Sequence, residues 1–554
     1  METQSTMPFQ QIDPSAAAPG AANTADTFSH TLKRNVYRWH RLIGLITIIP
    51  VICWSLSGLM HPFLSHWFKP TIAHEVMPVQ TLDRSKIQLS LQEVLVKNDI
   101  RDFRNFRLVA MGDHTYYQVR VIDGTLRYFD ASTGAALADG EKKYAEFMAR
   151  YFLDDQASPV TSITLQPDFD QQYKYVNRLL PVWKVSFDRP DAMDVYVETS
   201  SSRLGTFNTA SRKVFLWVFD NFHNWSFLGR ITGNTLRITI MVILLGVILA
   251  SAVTGIVIYG LFWKRFRKLN AATEKKGLRK YHRQIGVATA FVALTFTMSG
   301  AFHATRKLEP NLLPQLVYEP LVRTQELTTT FLPRPPKSAS DVGEPRPPKL
   351  VSSVGGALDL DWERLTNLSV VRKSKHDYFQ VFYAATDDEP AQTLYFDAAG
   401  GAVWENGDQE YAQFLGKKFL SAISNQANLT AACCEEMGDV KSTAFDTGVT
   451  LLKTELVPRF ESREYGFVFK RLPVVRLVYD TPDDNTLYVE TSTSRLAASI
   501  DATDRLEGYS FAIFHKYLLM DWAGKNVRDI TMMLSALGLL TVSVLGLLVF
   551  IRKA

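Results

Sequence analysis

The chain has 554 residues, a formal net charge of +5 and 46% hydrophobic residues, so its overall composition resembles that of an ordinary soluble protein. The average hides four runs of about 18 or more uncharged residues, each long enough to cross a bilayer core of about 30 Å. These runs are residues 42–60, 238–262, 285–302 and 530–551. The small positive charge lies mostly beside them and does not indicate a nucleic-acid partner.

Lysine and arginine cluster beside one end of each apolar run. The clusters occupy residues 33–41, 264–268, 279–283 and 552–553. Because cytoplasmic flanks of membrane spans are enriched in these residues, both termini are predicted to be cytoplasmic. Two large segments, 63–222 and 306–514, are then predicted to lie outside the membrane on the opposite face.

The remaining boundaries follow from these runs. Residues 1–35 have a polar, Ala- and Ser-rich composition typical of disorder, and the first span lacks a cleavage site, so we expect it to remain as an anchor. The first and third spans are predicted at 38–62 and 282–305, the cytoplasmic loop at 264–281, and the second and fourth spans, each preceded by an interfacial segment, at 223–263 and 515–551.

The chain contains an internal repeat. RWHRLIGLITIIPVICWSLSGLMHPF (38–63) returns as KYHRQIGVATAFVALTFTMSGAFHAT (280–305), and LRYFDASTGAAL (126–137) returns as TLYFDAAGGAVW (393–404). VYVETSSSRLG (195–205) returns as LYVETSTSRLA (487–497). The pattern indicates a tandem duplication of a unit composed of span, outer segment and span. Two copies in the same orientation predict a pseudo-twofold axis along the membrane normal.

Each outer segment alternates short apolar strands with turn signals and one helical stretch, which predicts a small α+β domain. The prolines of 332–349 favour an extended linker before the second domain. Cys433 and Cys434 are adjacent, and the sequence leaves open whether they form a vicinal disulfide or remain two thiols. The fold class is therefore a four-span α-helical membrane bundle with two α+β outer domains.

Histidines at the ends of the spans are the candidate functional residues. An ionisable side chain at the edge of a span usually marks a functional path, although a lone interfacial histidine can simply bond a lipid headgroup or a carbonyl. Here the repeat places them in matched pairs: His40/His282, His61/His303, His114/His376 and His223/His515. Haem iron takes imidazole ligands, and a helix bundle accommodates its apolar ring, so haem is the predicted shared ligand.

Topology sorts these ligands by membrane face. His40 and His282 begin their spans on the cytoplasmic side and form one candidate pair. Four outer candidates, His61, His303, His223 and His515, leave their pairing open. His223 precedes the apolar run by about 14 residues, so an interfacial helix bent at Gly229 and Gly233 would keep it near the membrane.

Smaller features accompany the histidines. Gly44 and Gly286 follow His40 and His282 on the same helical face, where they would leave room for a porphyrin or for close helix packing. Gly58 and Gly300 precede the span-exit histidines in the same way. Arg237 and Arg528 are candidates for haem propionates or for snorkelling interfacial arginines. His114 and His376 precede strands and are interpreted as turn residues or substrate-side contacts.

These motifs together resemble the PepSY-associated transmembrane family of bacteria. The resemblance rests on the HRxxG entry to the spans, the SG near their exits, the YFDAxTG-like hairpin and the Phe-His element, and it covers nearly everything after residue 35. Members include inner-membrane ferrisiderophore reductases with haem. The resemblance implies a bacterial inner membrane, PepSY-like periplasmic domains at 63–222 and 306–514, and haem b ligands at the HR and Phe-His motifs.

The predicted function is transmembrane electron transfer through two or more haem b groups to a periplasmic ferric iron or ferric-siderophore substrate. No Rossmann or P-loop signature is present, so electrons are expected from a separate cytoplasmic reductase or from quinol. One alternative is a non-enzymatic, membrane-anchored PepSY binder or regulator of periplasmic proteins. Another is a siderophore permease, which would need polar residues lining a path through the spans.

Overall fold

The computed structural model describes residues 22–271, 277–308, 316–327, 360–387, 389–424, 449–461 and 464–552. The predicted linker at 332–349 lies outside these residues, as do Cys433 and Cys434. The helices of the described part are, in chain order, α1 (Ala22–Pro62), α2 (Leu91–Lys97), α3 (Gly140–Leu153), α4 (Ala210–Phe222), α5 (Ser226–Thr232), α6 (Asn234–Leu261), α7 (Trp263–Ala271), α8 (Leu278–Ala288), α9 (Ala290–Arg306), α10 (Gly407–Ser424), α11 (Ala502–Phe514) and α12 (Lys525–Ile551).

Helix α1 begins earlier than the sequence predicted. Residues 22–35 were expected to be disordered but are helical. The segment from Ala22 to the first span contains neither glycine nor proline. Because adding a residue to an existing helix costs far less than starting a new one, the apolar span can extend its helix backwards through this polar stretch.

Three helices in the described residues are long and apolar enough to cross a membrane: Thr31–Trp67, Asn234–Leu261 and Lys525–Ile551. The predicted third span is instead two helices, α8 and α9, bent by 57° at Thr289. A Cβ on Gly538 of α12 would lie 2.6 Å from the Thr289 side chain, so α12 passes very close to the bend. The pair gives a fourth span if both parts lie in the membrane.

The chain divides into two compact units. The helical unit comprises Met1–Trp67, Phe219–Glu309 and Glu507–Ala554, and the α+β unit comprises Phe68–Val218 and Pro310–Leu506. Within the helical unit, α1 packs against α6 and α12, while α6 packs against α9 and α12 against α8. Each N-terminal helix of a repeat therefore contacts the C-terminal helices of both repeats.

The α+β unit contains four antiparallel sheets in the described residues, with orders β3-β2-β1-β8, β4-β5-β6-β7, β11-β10-β9 and β12-β13-β14-β15. Their strands are β1 (Asp102–Met111), β2 (His114–Val121), β3 (Leu126–Asp130), β4 (Val160–Gln166), β5 (Val182–Phe187), β6 (Asp194–Glu198), β7 (Arg203–Asn208), β8 (Val322–Arg323), β9 (Leu365–Lys373), β10 (His376–Tyr383), β11 (Gln392–Asp397), β12 (Thr450–Val457), β13 (Val474–Asp480), β14 (Thr486–Glu490) and β15 (Arg495–Ile500). The short strands and the helical stretch predicted for each outer segment are present in both repeats, with α3 and α10 as the helices.

The two repeats share one hydrophobic core in the α+β unit. Side chains of β1–β3 and β9–β11 pack together, with Phe106 and Phe379 in contact at 6.4 Å between ring centroids. Strand β8 of the second repeat pairs with β1 of the first. In the other direction, the Leu82 amide donates to the Leu365 carbonyl at 2.7 Å. Short segments are thus exchanged between the repeats.

Two asparagines join the repeats at matched positions. The Asn367 Oδ1 accepts from the Leu108 amide at 3.0 Å, and the Asn105 Oδ1 accepts from the Val370 amide at 3.4 Å. Each side chain thereby satisfies a backbone donor of the opposite repeat, which a buried amide requires. The predicted domains 63–222 and 306–514 are consequently not separate folding units in this structure.

Two matched glycines allow the helices of the α+β unit to sit on its sheets. A Cβ on Gly140 would lie 2.8 Å from the Tyr128 ring, and one on Gly407 would lie 2.7 Å from the Tyr395 ring. We expect Gly140→Ala or Gly407→Ala to lower the free energy of unfolding by about 1–3 kcal/mol, because both tyrosines are fully buried and cannot give way.

Thermal unfolding of the purified chain measures this effect. Gly508→Ala serves as the control, since a Cβ there meets no atom within 4 Å, and this change should leave stability equal or slightly higher. Unaltered melting of both test variants would contradict the packing argument.

Candidate functional site

Two imidazoles, one in the middle of α1 and one in α8, are fixed through one nitrogen each. His40 Nδ1 lies 3.1 Å from both the Ser251 carbonyl and the Thr254 hydroxyl of α6. His282 Nδ1 lies 2.9 Å from the Val542 carbonyl of α12. A carbonyl oxygen can only accept, so we infer that Nδ1 carries the proton in both rings.

This tautomer leaves the Nε2 lone pairs of His40 and His282 available. Neither Nε2 makes a hydrogen bond to any residue that the structure describes. An imidazole that donates through Nδ1 to a carbonyl and keeps Nε2 open has the arrangement typical of a metal-binding histidine. The two rings are also close enough to interact electrostatically.

A glycine on the facing helix receives each of these rings. A Cβ on Gly255 would lie 3.3 Å from His40 Cε1, and one on Gly546 would lie 3.2 Å from His282 Cε1. Any larger side chain would push the imidazole away from its carbonyl partner. The sequence analysis did not single out these glycines. A signal was present, since Gly255 lies 22 residues after Gly233 and Gly546 lies 22 residues after Gly524.

The predicted room beside Gly44 and Gly286 is only partly present. A Cβ on Gly44 would meet no atom within 4 Å, whereas one on Gly286 would touch the Val542 side chain at 3.5 Å. Near the span exits, Gly58 faces Ala536 at 3.9 Å and Gly300 faces Leu245 at 3.9 Å. Open space therefore borders Gly44, while the other three glycines lie in ordinary packing contact.

The outer histidines form a second group. His223 Nδ1 lies 3.0 Å from the Ser57 hydroxyl, and His515 Nδ1 lies 3.4 Å from the Ser299 hydroxyl. Each serine donates its own proton to a carbonyl one turn earlier in its helix, so each accepts from the imidazole. The matched pair therefore repeats the Nδ1-donating arrangement of His40 and His282.

One phenylalanine separates the two outer histidines of each repeat. The Phe219 ring stacks on His223 at 4.4 Å and contacts His61 at 5.7 Å. The Phe511 ring stacks on His515 at 4.6 Å and on His303 at 4.4 Å. All four imidazoles lie within electrostatic range of at least one histidine of the other repeat, so the predicted outer candidates do come together.

The two halves of this outer group differ in polarity. His303 Nδ1 lies 2.6 Å from the Glu507 carboxylate, whereas His61 Nδ1 faces the Ser65 hydroxyl at 3.4 Å. In the first repeat the indole of Trp54 donates to the His223 carbonyl at 2.9 Å and stacks on Trp225. The four rings are therefore not chemically equivalent.

The two candidate arginines are already engaged within the protein. Arg237 donates to the Asn224 carbonyl at 2.8 Å, and Arg528 forms an ion pair with Asp521. The short helix α5 and Gly233 lie between His223 and α6. The φ of Gly233 is 82°, and this left-handed conformation turns the chain just before the apolar helix begins.

The exposed His114 ring bonds the Asp130 carboxylate at 2.8 Å, an arrangement that suits a structural role.

A further polar pair escaped the sequence analysis. His66 follows α1 in a π-helical turn, and its Nδ1 lies 2.8 Å from Asp529 of α12, a carboxylate that is 7% exposed. Arg528 Nε is 3.7 Å from the same carboxylate. The matched positions hold Leu308 and Ile238, so the repeat pattern gave no signal for this contact.

Among the described residues, no group of three or more His, Cys, Asp or Glu side chains is arranged to hold a metal ion by itself. The histidines instead occur as separate rings with their Nδ1 atoms bonded to the protein. Such rings suit a ligand large enough to lie between them.

Apolar helices of spanning length define the chain as a multi-pass membrane protein. The model of the PepSY-associated TM region matches residues 37–553, so the chain belongs to the PepSY-associated transmembrane family. No curated protein matched the chain in a sequence search.

The His66–Asp529 pair gives a test of the helical unit. His66→Leu should lower the unfolding temperature, because it leaves a buried carboxylate without its closest donor, at a cost of about 1–3 kcal/mol. The double variant His66→Leu/Asp529→Ile installs the residues of the matched positions and should recover most of the loss. Equal melting of the single and double variants would contradict this assignment.

Proposed function

We propose that this chain is a membrane oxidoreductase that carries electrons across a bacterial inner membrane to a periplasmic ferric iron or ferric-siderophore complex, with haem b as its cofactor. The observation that carries the proposal is the matched pair His40 and His282, each with Nδ1 bonded to a carbonyl and Nε2 left open. Bound haem b would supply reversible one-electron chemistry at its iron.

The donor set fits such a group. Two neutral imidazoles with fixed orientation are suited to hold a haem, and the adjoining helices offer glycine rather than bulky side chains. On this proposal His40 and His282 hold one haem b. The outer rings of His61, His223, His303 and His515 hold at least one more, in a pairing that the proposal leaves open.

Other residues then have supporting roles. Ser57 and Ser299, each 1% exposed, hold the Nδ1 protons of His223 and His515 and so keep their Nε2 atoms directed away from the serines. Arg237 is a candidate to bind a propionate. At Arg528 a propionate would compete with Asp521, which already pairs with that guanidinium.

The proposed topology has four spans, with α8 and α9 together as the third. Tandem duplication and a pseudo-twofold axis along the membrane normal are supported by the reciprocal contacts of matched residues. Basic residues follow the ends of α6 and α12 nearest to His40 and His282, and basic residues also surround these two histidines on α1 and α8. These flanks support cytoplasmic termini, with the PepSY-like segments in the periplasm.

The chain lacks a nucleotide-binding signature, so the proposal includes a separate cytoplasmic reductase or quinol as electron donor. A second candidate function is that of a membrane-anchored binder or regulator of periplasmic proteins. The observation favouring it is a cleft of about 2110 Å³ in the α+β unit, large enough for an extended ligand. A difference spectrum of the purified protein distinguishes the two functions.

We expect a reduced-minus-oxidised spectrum with haem b bands from the wild-type chain. His40→Ala and His282→Ala should each remove one haem per chain and leave an outer one, because each variant lacks one of the two imidazoles that would hold the same group. Haem is quantified after extraction, relative to protein.

His74→Ala and His114→Ala are the matched controls, since both rings belong to the α+β unit. They should leave the haem content unchanged. A wild-type chain purified without haem b would rule out the redox function, and full haem content in both test variants would overturn the assignment of the inner pair.

A further inference from the structure

Four matched residues make reciprocal contacts between the two repeats of the α+β unit. Arg203 donates to the Leu472 carbonyl at 3.1 Å, and Arg495 donates to the Leu180 carbonyl at 3.3 Å. Arg203 and Arg495 follow the identical VET motifs of the two repeats. Their guanidinium groups therefore enter the opposite repeat in the same way.

The acidic partners of this arrangement are deeply buried. Glu198 and Glu490 are the glutamates of the VET motifs and are 1% and 0% exposed. Arg203 of the first repeat forms an ion pair with Glu490 of the second. By the symmetry of the contacts, Arg495 should pair with Glu198 in return.

A third arginine takes that place. Arg471 Nη2 lies 2.7 Å from Glu198, and its Nη1 lies 2.9 Å from Glu490. The matched position in the first repeat is Leu179, so Arg471 has no basic counterpart there. Glu198 is therefore occupied, and Arg495 makes no ion pair within the described residues.

The charges of this network do not balance. Burial acts to raise the pKa of Glu490, but Arg203 and Arg471 outweigh it and lower this pKa to about 2. The pKa of Glu198 is likewise lowered, against burial, by Arg471 first and then Arg495. Both carboxylates are thus ionised at neutral pH and face three arginines.

The nearest further pair does not supply the missing charge. Arg120 and Glu319 lie near Arg495 and neutralise each other at 3.2 Å. Burial, followed by repulsion from Arg471, lowers the pKa of Arg495 itself. One positive charge is left over in a region where unpaired charges are costly.

Arg495 also has unused hydrogen-bond donors. Its side chain is buried, with the whole residue 8% exposed, and its Nε has no partner among the described residues. The bond to Leu180 is the one side-chain hydrogen bond that this guanidinium makes to described residues, although the group carries five N–H donors. An arginine so placed can still bind a planar oxyanion with two parallel bonds.

Arg495 lines the cleft of about 2110 Å³ described above. Hydroxyl-bearing side chains from both repeats also line the cleft, including Ser201, Ser202, Ser492 and Thr493. A ligand entering the cleft can therefore reach both the guanidinium and further polar groups.

We infer that the cleft of the α+β unit is an anion-binding site in which Arg495 receives a carboxylate or phosphate group of the ligand. Anion binding at Arg495 does not depend on the proposed haem groups or on electron transfer. Its ligand is a free small anion or an anionic metal chelate, both of which present the same oxyanion chemistry to the arginine.

Thermal unfolding of the full chain in detergent tests the site. Phosphate, citrate and ferric citrate are titrated at constant ionic strength, and a saturable rise in unfolding temperature reports binding to the folded state. Stabilisation by citrate or phosphate indicates a free anion, and stabilisation by ferric citrate alone indicates the chelate. No saturable stabilisation by any of the three would overturn the inference.

Three variants locate the binding. Arg495→Gln should weaken binding at least tenfold. Arg364→Gln is the control, because Arg364 lines the same cleft but is already paired. Its guanidinium forms an ion pair with Glu389 and donates to the carbonyls of Ala384 and Pro390. It should bind like the wild type. Equal affinity of Arg495→Gln and wild type would also overturn the site.

Arg471→Leu gives the sharpest test, since it installs the residue of the other repeat. With Arg471 removed, Glu198 becomes available to Arg495, and the charges balance without a ligand. Anion binding should then weaken at least tenfold although Arg495 is still present. Undiminished binding in this variant would contradict the charge argument. Because its buried charges are all paired, this variant can still be measured if Arg495→Gln fails to fold.

Discussion

A polar ring inside an apolar helix bundle must find its hydrogen-bond partner within the protein, and this constraint organises the helical unit. His40 and His282 reach backbone carbonyls of α6 and α12, which requires Gly255 and Gly546 to lie beside them. His223 and His515 reach the hydroxyls of serines in α1 and α9. In every case the bond ties the ring to a neighbouring helix, so the same contacts that orient the imidazoles also hold the bundle together.

The sequence predicts the repeated parts of the molecule well because each pattern occurs twice, and two matching occurrences are stronger evidence than one. The paired histidines and the strands β3 and β6 came from recurring motifs, whereas the four apolar runs came from their length and lack of charge. Contacts between the repeats were not predictable in this way. The exchange of β8, the reciprocal roles of Asn105 and Asn367, and the close approach of Gly538 to the bend at Thr289 depend on how distant segments meet, which no local pattern encodes.

Some positions hold an apolar residue in the first repeat and a charged residue in the second. Arg471, Glu507 and Asp529 of the second repeat occupy the positions of Leu179, Phe215 and Ile238 in the first. Each finds a charged or ionisable partner: Glu198, His303 and His66 respectively. These apolar-to-charged differences make the two repeats chemically inequivalent. A comparison of the repeats restricted to identical residues overlooks these sites, whereas a search for such differences would have found them.

Arg471 shows why a charged residue at such a position can occur in only one of the two repeats. It contacts both members of a matched pair, Glu198 and Glu490, at nearly equal distances of 2.7 and 2.9 Å. A group equally close to two matched partners lies between the two repeats, where the other repeat would place its own side chain. Two arginines there would collide and repel each other, so one position must be apolar, and Leu179 fills it. The leftover charge at Arg495 is therefore a direct consequence of placing one cation where the symmetry of the repeats has room for only one.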